Sequence, residues 1–217
     1  MESEEIWVLG GTGRFGSAVA RELVENGART VLVGRNAERL STTAEAIGAA
    51  RTIVAPDPEA MAEAIRRERP AVVVNTVGPF ARTAGTIADA CLPTSSYVDL
   101  ANDVVAASVV LAMHEQAAAA GRTLVTGAGF GVVGTEAPVT ALCAGRAAPV
   151  SVRVDSVASL SLAAGPVGEA LAATIVEGVP SGGRRISRGR LVRAGLGSAV
   201  ERLTLPCLLY TSDAADE

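Results

Sequence analysis

The amino-acid sequence predicts a doubly wound α/β fold, a parallel sheet with helices on both faces, followed by the truncated start of an α+β domain. Three observations carry this. A glycine-rich turn, Gly10-Gly11-Thr12-Gly13-Arg14-Phe15-Gly16, joins an apolar run to a helical pattern. Short apolar runs then alternate with helical segments as far as Thr126, the order that builds a parallel sheet with crossover helices. From about Ala148 that alternation gives way to a different pattern. The expected division is 1–147 for a dinucleotide-binding domain, 148–206 for a partial second domain and 207–217 for a non-native tail.

The first strand is Ile6–Leu9, and its helix runs from Phe15 to Glu25 before Asn26-Gly27 stops it. Thr30–Val33 forms the second strand and ends at Gly34-Arg35-Asn36. A helix over Ala37–Ile47 and a short strand over Arg51–Ala55 follow. Pro58–Arg69 reads as the third helix, with Asp57 placed to cap it. Ala71-Val72-Val73-Val74-Asn75 has the continuous apolar character of a strand buried on both faces. Thr83–Leu92 is expected as a helix, Tyr97–Asp99 as a strand, Val104–Ala120 as one long Ala-rich helix ending at Gly121, and Thr123–Thr126 as a strand. In the second domain Val150–Asp155 alternates as a half-buried strand does. A helix near Gly168–Glu177 then precedes a Gly- and Arg-rich turn at Ser181–Arg190 and another strand-like segment.

Composition bounds the function. With 49% hydrophobic and 19% charged residues the chain is globular rather than disordered. It has no apolar run of the roughly 18–20 residues that span a bilayer. The start, Met1-Glu2-Ser3-Glu4-Glu5, lacks the basic opening of a signal peptide, so cytoplasmic residence is expected. Cys91, Cys143 and Cys207 have neither metal-ligand spacing nor a disulfide framework, and no metal is expected. All 19 basic residues are arginine. Without lysine there is no Walker A site, no Schiff base and no Tyr-x-x-x-Lys pair; Ala101 stands where Tyr97 would need that lysine. The tail from Cys207 to Glu217 reads as translated sequencing-adapter sequence, so the natural protein is expected to be cut off near Pro206. Leaving it out removes three acids from the net charge of −4 and leaves −1, so the acidity says nothing about partners.

Gly11, Gly13 and Gly16 satisfy G-x-G-x-x-G in a strand–turn–helix setting. The first is expected to allow the tight turn, the second to admit a pyrophosphate and the third to let the helix pack on the strand. The helix N-terminus then faces the phosphates. An NAD-selective site places Asp or Glu at the end of the second strand, but here stand Arg35 and Asn36. The planar guanidinium of Arg35 suits the 2′-phosphate of NADP, with Arg14 and Arg39 as candidate reinforcements. Asn75, Thr76, Val77, Gly78, Pro79 and Phe80 leave the carboxyl end of the fourth strand, where ligands of open parallel sheets lie, and are expected beside the nicotinamide. Asp99 and Gly127–Gly131 point to the same rim. His114 reads as a surface or packing residue, and the Arg184–Arg193 cluster as a solvated hairpin rather than a nucleic-acid site.

In that order, GGTGRFGSAVARELVENG, VGRNAERL, VVVNTVGPF and CLPTSSYVDLAND resemble the saccharopine dehydrogenase-like oxidoreductases over about residues 5–135. The resemblance implies an NADP-binding Rossmann domain followed by an α/β domain in a chain nearly twice this length. It implies Gly11, Gly13, Arg14, Phe15 and Gly16 at the pyrophosphate, Arg35 and Asn36 at the adenosine end, and Asn75–Phe80 on the nicotinamide side. After Gly131, Val132-Val133-Gly134-Thr135-Glu136 departs from the Asp-Ser-Val-Pro-like continuation of the enoyl-reductase-like members. The expected activity is NADPH-linked hydride transfer to or from a C=N, C=O or C=C bond of a small substrate, with the catalytic acid or base unknown. A homodimer formed through the second domain is a further expectation. The alternative is a nonenzymatic NADP-sensing regulator of the NmrA-like type, which shares the Gly-Gly-Thr-Gly turn.

Overall fold

The computed structural model describes residues 4–147, 149–152, 154, 176 and 182–195. The tail 207–217 lies outside them, as does the expected helix at 168–177 apart from Val176. The chain divides into two compact units, Met1–Thr174 and Ile175–Glu217.

In the first unit, six strands form one parallel sheet in the order β3-β2-β1-β4-β5-β6. They are β1 (Ile6–Leu9), β2 (Thr30–Gly34), β3 (Arg51–Val54), β4 (Val72–Asn75), β5 (Ser96–Asp99) and β6 (Leu124–Val125). The helices are α1 (Arg14–Glu25), α2 (Ala37–Ile47), α3 (Pro58–Glu68), α4 (Phe80–Cys91), α5 (Val104–Leu111), α6 (His114–Ala120) and α7 (Phe130–Cys143). The period-two geometry of a strand sorts β1 onto two faces. Val8 packs with Leu32 and Val74 against Ala20 of α1 and Leu40, Ala44 and Ile47 of α2. Trp7 and Leu9 point the other way, with Val31, Val33 and Val73, onto Ile65 of α3, Ile87 of α4 and Val110 of α5. The strand order reverses between β1 and β4, and this switch point is where doubly wound sheets open a crevice.

Caps set the helix starts. Asn36, Asp57 and Asp103 each accept a bond of 2.8 Å from the backbone N–H three residues on, at Arg39, Ala60 and Ala106. The structure departs from the sequence expectation at several elements. Helix α4 starts at Phe80 rather than Thr83, because Pro79 stands at φ −70° and the helix begins directly after it. The long helix over 104–120 is two helices. Met113 N–H donates to Val110 O at 3.1 Å, a three-residue step that turns the chain, and Met113 packs onto the core. Helix α7 was not expected, since Gly131, Gly134, Thr135 and Pro138 are poor helix formers. In Val150–Asp155 the described residues 150–152 and 154 carry no strand and the valines among them are exposed, because no described neighbour supplies a ladder.

The second unit contains an antiparallel hairpin, β7 (Gly183–Ser187) and β8 (Arg190–Ala194), as the arginine cluster suggested. Its two-residue turn has φ 51° at Arg188 and 73° at Gly189, the twist-compatible form for tight hairpins. No helix among the described residues is long and apolar enough to cross a membrane.

At the amino end of the sheet, Glu5 accepts from two arginines and an indole. It takes both Nε (3.0 Å) and Nη2 (2.6 Å) of Arg51, Nε of Arg29 (3.2 Å) and the indole N–H of Trp7 (3.2 Å). Arg51 also donates to Glu68 at 2.8 Å and lies 5.6 Å over the Trp7 ring. Hydrogen bonding to Arg51 is the main reason the Glu5 carboxyl is lowered to about 2, against the opposing cost of burial. A lowered carboxyl stabilises the fold above its unfolded value of 4.5 and loses that contribution as pH falls towards 2. We therefore predict that Glu5→Gln costs on the order of 2 kcal/mol at neutral pH. The gap between the variant and the parent should narrow as pH falls from about 4.5 towards about 2, where they converge in stability. Urea denaturation across that range checks this, and a gap that persists in acid would refute it.

Candidate functional site

The carboxyl end of β1 runs straight into the glycine turn. Gly10 and Gly11 N–H both reach Val33 O, at 2.8 and 3.3 Å, and Gly13 N–H closes onto Gly10 O at 2.8 Å. The left-handed residue is Gly10, with φ 75°, so the reversal begins one residue before the Gly11 position expected for it. Gly11 instead packs over β2: an added Cβ would lie 2.9 Å from Leu32 Cδ2. Gly16 does what the third glycine of the motif is expected to do. A Cβ there would overlap the Gly10 carbonyl oxygen and come within 2.8 Å of Thr76 Oγ1, so α1 can approach the strand only without one.

Gly13 is the N-cap of α1 and gives its first turn no side-chain cap. The opening N–H groups of a helix need partners, and an uncapped, exposed turn suits an anion such as a pyrophosphate. Gly13, Arg14 and Phe15 are exposed there, Thr12 is half-buried and Gly16 is covered. The turn's local features therefore fit a dinucleotide phosphate.

Arg35 is exposed just past β2 and, among the described residues, holds no ion pair or side-chain hydrogen bond. Asn36 beside it spends its side-chain oxygen capping α2. Arg39, one helical turn on, donates Nη2 to Thr12 O at 3.1 Å and so braces the glycine turn. Arg14 is exposed and separate in sequence from this pair, at the first turn of α1.

The segment after β4 divides in two. Asn75 and Thr76 turn inward. Asn75 is fully buried, and Thr76 donates both its N–H (3.1 Å) and its hydroxyl (2.7 Å) to Leu9 O. Val77, Gly78, Pro79 and Phe80 are half-buried and form the rim, with Val77 and Phe80 also touching the core. Behind them is a polar cluster that the sequence reading did not join. Tyr97 Oη donates to Asp99 Oδ2 at 2.8 Å and accepts from Asn75 Nδ2 at 3.1 Å. Burial first, then the Asp99 charge, pushes the Tyr97 phenol well above its usual range, so it keeps its proton. The only signal for this cluster was the i, i+2 spacing of Tyr97 and Asp99, which puts both on one face of a strand. His114 is exposed at the start of α6, and Cys91 is buried with its thiol pushed up by desolvation. No group of three or more His, Cys, Asp or Glu among the described residues could hold a metal.

The saccharopine dehydrogenase NADP binding domain matches residues 6–125 of this chain. No curated protein matches it. Solved structures with a similar chain path include a short-chain dehydrogenase from Streptomyces avermitilis, 15% identical with a TM-score of 0.49, covering 57% of this chain and 64% of that one. A yeast methylglyoxal/isovaleraldehyde reductase complexed with NADPH is 14% identical with a TM-score of 0.46, covering 56% of this chain and 53% of that one. An actinorhodin polyketide ketoreductase variant with NADPH is 21% identical with a TM-score of 0.44, covering 58% and 70%. The chain thus spans less than two thirds of the first two.

The packing at the turn leads to a stability prediction. Gly16→Ala is expected to cost about 1–3 kcal/mol, the usual range for overpacking a closed site. Gly13→Ala, whose Cβ would meet only Gly10 O at 3.2 Å, should cost much less. Thermal melting of the two variants side by side checks this, and equal losses would contradict the packing argument.

Proposed function

The chain belongs to the saccharopine dehydrogenase family through its NADP-binding domain, and from that premise we propose an NADP(H)-dependent oxidoreductase. Hydride would pass to or from a C=N, C=O or C=C bond of a small substrate. The observation that carries this is the uncapped glycine turn on α1, set beside an arginine rather than an acid at the end of β2. In this reading Gly10–Gly16 hold the pyrophosphate by backbone N–H groups and the helix dipole. Arg35 meets the 2′-phosphate, with Asn36 at the adenosine end, and Arg39 steadies the turn between them.

On the other side of the switch point, Val77–Phe80 would border the nicotinamide, with Asn75 and Thr76 fixing that loop from beneath. Bound NADPH supplies the hydride; the protein's part is to orient it against the substrate and exclude water. Tyr97 and Asp99 are buried and bonded to one another, so neither is proposed as the acid or base. Residues beyond 147 are proposed to open a domain with substrate and dimer contacts, in a protein of the cytoplasm.

Two outcomes test this. Arg35→Asp should weaken NADPH binding by about tenfold or more, an interaction worth roughly 1.4 kcal/mol, and leave NADH binding nearly unchanged. Equal losses by titration calorimetry would sink the phosphate contact. Consumption of NADPH with imines, ketones or enoyl compounds would support the oxidoreductase reading. Tight binding without turnover by any class would favour the NADP sensor instead.

A further inference from the structure

A directional chain of hydrogen bonds runs under the 75–80 loop. Asn75, Tyr97 and Asp99 are each 0% exposed, and β4 pairs with β5 so that Asn75 sits beside Asp99 and Val73 beside Tyr97. One oxygen of Asp99 accepts three donors: Ala101 N–H at 3.0 Å, Gly127 N–H at 2.9 Å and the Thr126 hydroxyl at 2.9 Å. Its other oxygen accepts the Tyr97 hydroxyl at 2.8 Å. The carboxylate offers no donor in return, so the single phenolic hydrogen is committed to it.

That commitment fixes each group downstream. With its hydrogen spent, Tyr97 Oη can only accept, and Asn75 must turn its Nδ2 towards it, at 3.1 Å. The amide oxygen of Asn75 then faces Val77 N–H and accepts from it at 3.0 Å. Thr83 donates its hydroxyl to Val77 O at 2.6 Å and can accept from Asn75 Nδ2 at 3.5 Å. Val77 is held by both its backbone groups. Flipping the Asn75 amide would set donor against donor at Val77 and acceptor against acceptor at Tyr97, and a buried unsatisfied group is costly. Asp99 also holds the segments after β5 and β6, and its own carbonyl accepts Ala128 N–H at 2.8 Å.

We propose that Asp99 is a positioning residue for the nicotinamide-side loop, acting through Tyr97 and Asn75 to fix Val77 at the carboxyl edge of β4. It rests on the reading above that this loop borders the nicotinamide.

The test compares two ligands on the full chain by calorimetry: NADPH, and adenosine 2′,5′-bisphosphate, which lacks the nicotinamide half. Asp99→Asn disturbs three loops at once and endangers folding, so Tyr97→Phe and Thr83→Val carry the measurement. Each keeps the packed shape and removes one hydroxyl. Each should weaken NADPH binding by about tenfold while leaving the bisphosphate within about twofold. The emission of bound NADPH should also move towards that of the free cofactor. Equal weakening of both ligands would mean a general loss of structure, and unchanged NADPH binding would mean the chain positions nothing; either overturns the proposal. If the unaltered protein binds neither ligand, the cofactor reading fails and this inference falls with it. If it binds both and the variants match it, this inference alone fails.

Discussion

At the carboxyl edge of this sheet, the junction of β1, the glycine turn and the loop after β4 hangs on the carbonyl of Leu9. Thr76, from the neighbouring strand, donates its N–H and its hydroxyl to that one oxygen, and so stitches β1 to β4 where the winding of the sheet reverses. The threonine side chain then fills the space left by Gly10 and Gly16. Strand, turn, helix and the β4 loop meet within a few ångströms. A side chain on either glycine would push them apart. Thr76 was expected beside a ligand. Its position shows that part of the loop after β4 is spent on holding the rest of it in place.

The two ends of the sheet use buried polarity differently. At the amino edge, Glu5 faces two arginines and an indole, and Arg51 is shared with Glu68. Charges of opposite sign meet there with partial exposure, so the cluster contributes stability and depends on pH. At the carboxyl edge, Asp99 faces no cation among its recorded bonds, only backbone N–H groups and hydroxyls. Such an arrangement has a direction, since each hydroxyl has one hydrogen to give. A direction can specify which way a loop must face, whereas a salt bridge mainly holds its partners together.

Much of the fold was legible because its signals are local. The limits of β1 and α2 coincide with those expected, and Asp57 caps α3. At the break between α5 and α6 the deciding force came from elsewhere in the chain. No glycine or proline marks the break at Ala112–Met113; the packing of Met113 on the core makes it. Helix α7 forms over residues whose local preferences oppose it. The same division runs through the site. The packing of Gly16 in the turn and the location of Arg35 just past β2 could be read from spacing alone, because the motif carries its own geometry. Asn75 and Thr76 could be placed at the right edge but not turned the right way, since their orientation depends on Leu9 and Tyr97, both distant in sequence. The i, i+2 spacing puts Tyr97 and Asp99 on one face of β5, but the place of Asn75 beside them required the register of β4 on β5.

The two halves of the candidate site therefore rest on different physics. The proposed adenosine side is built from exposed arginines on a helix start and a strand end, with Arg39 alone tied to the turn. Exposed charges attract a phosphate at a distance and are screened by salt, so they suit capture more than fine placement. The proposed nicotinamide side is built from a loop bonded to buried groups. Hydride transfer depends on placing atoms within a few tenths of an ångström, and binding a phosphate does not. Rigidity is thus found where the proposed chemistry needs it, on the side of the switch point away from the charges, and it is supplied by residues that need never touch the reacting atoms.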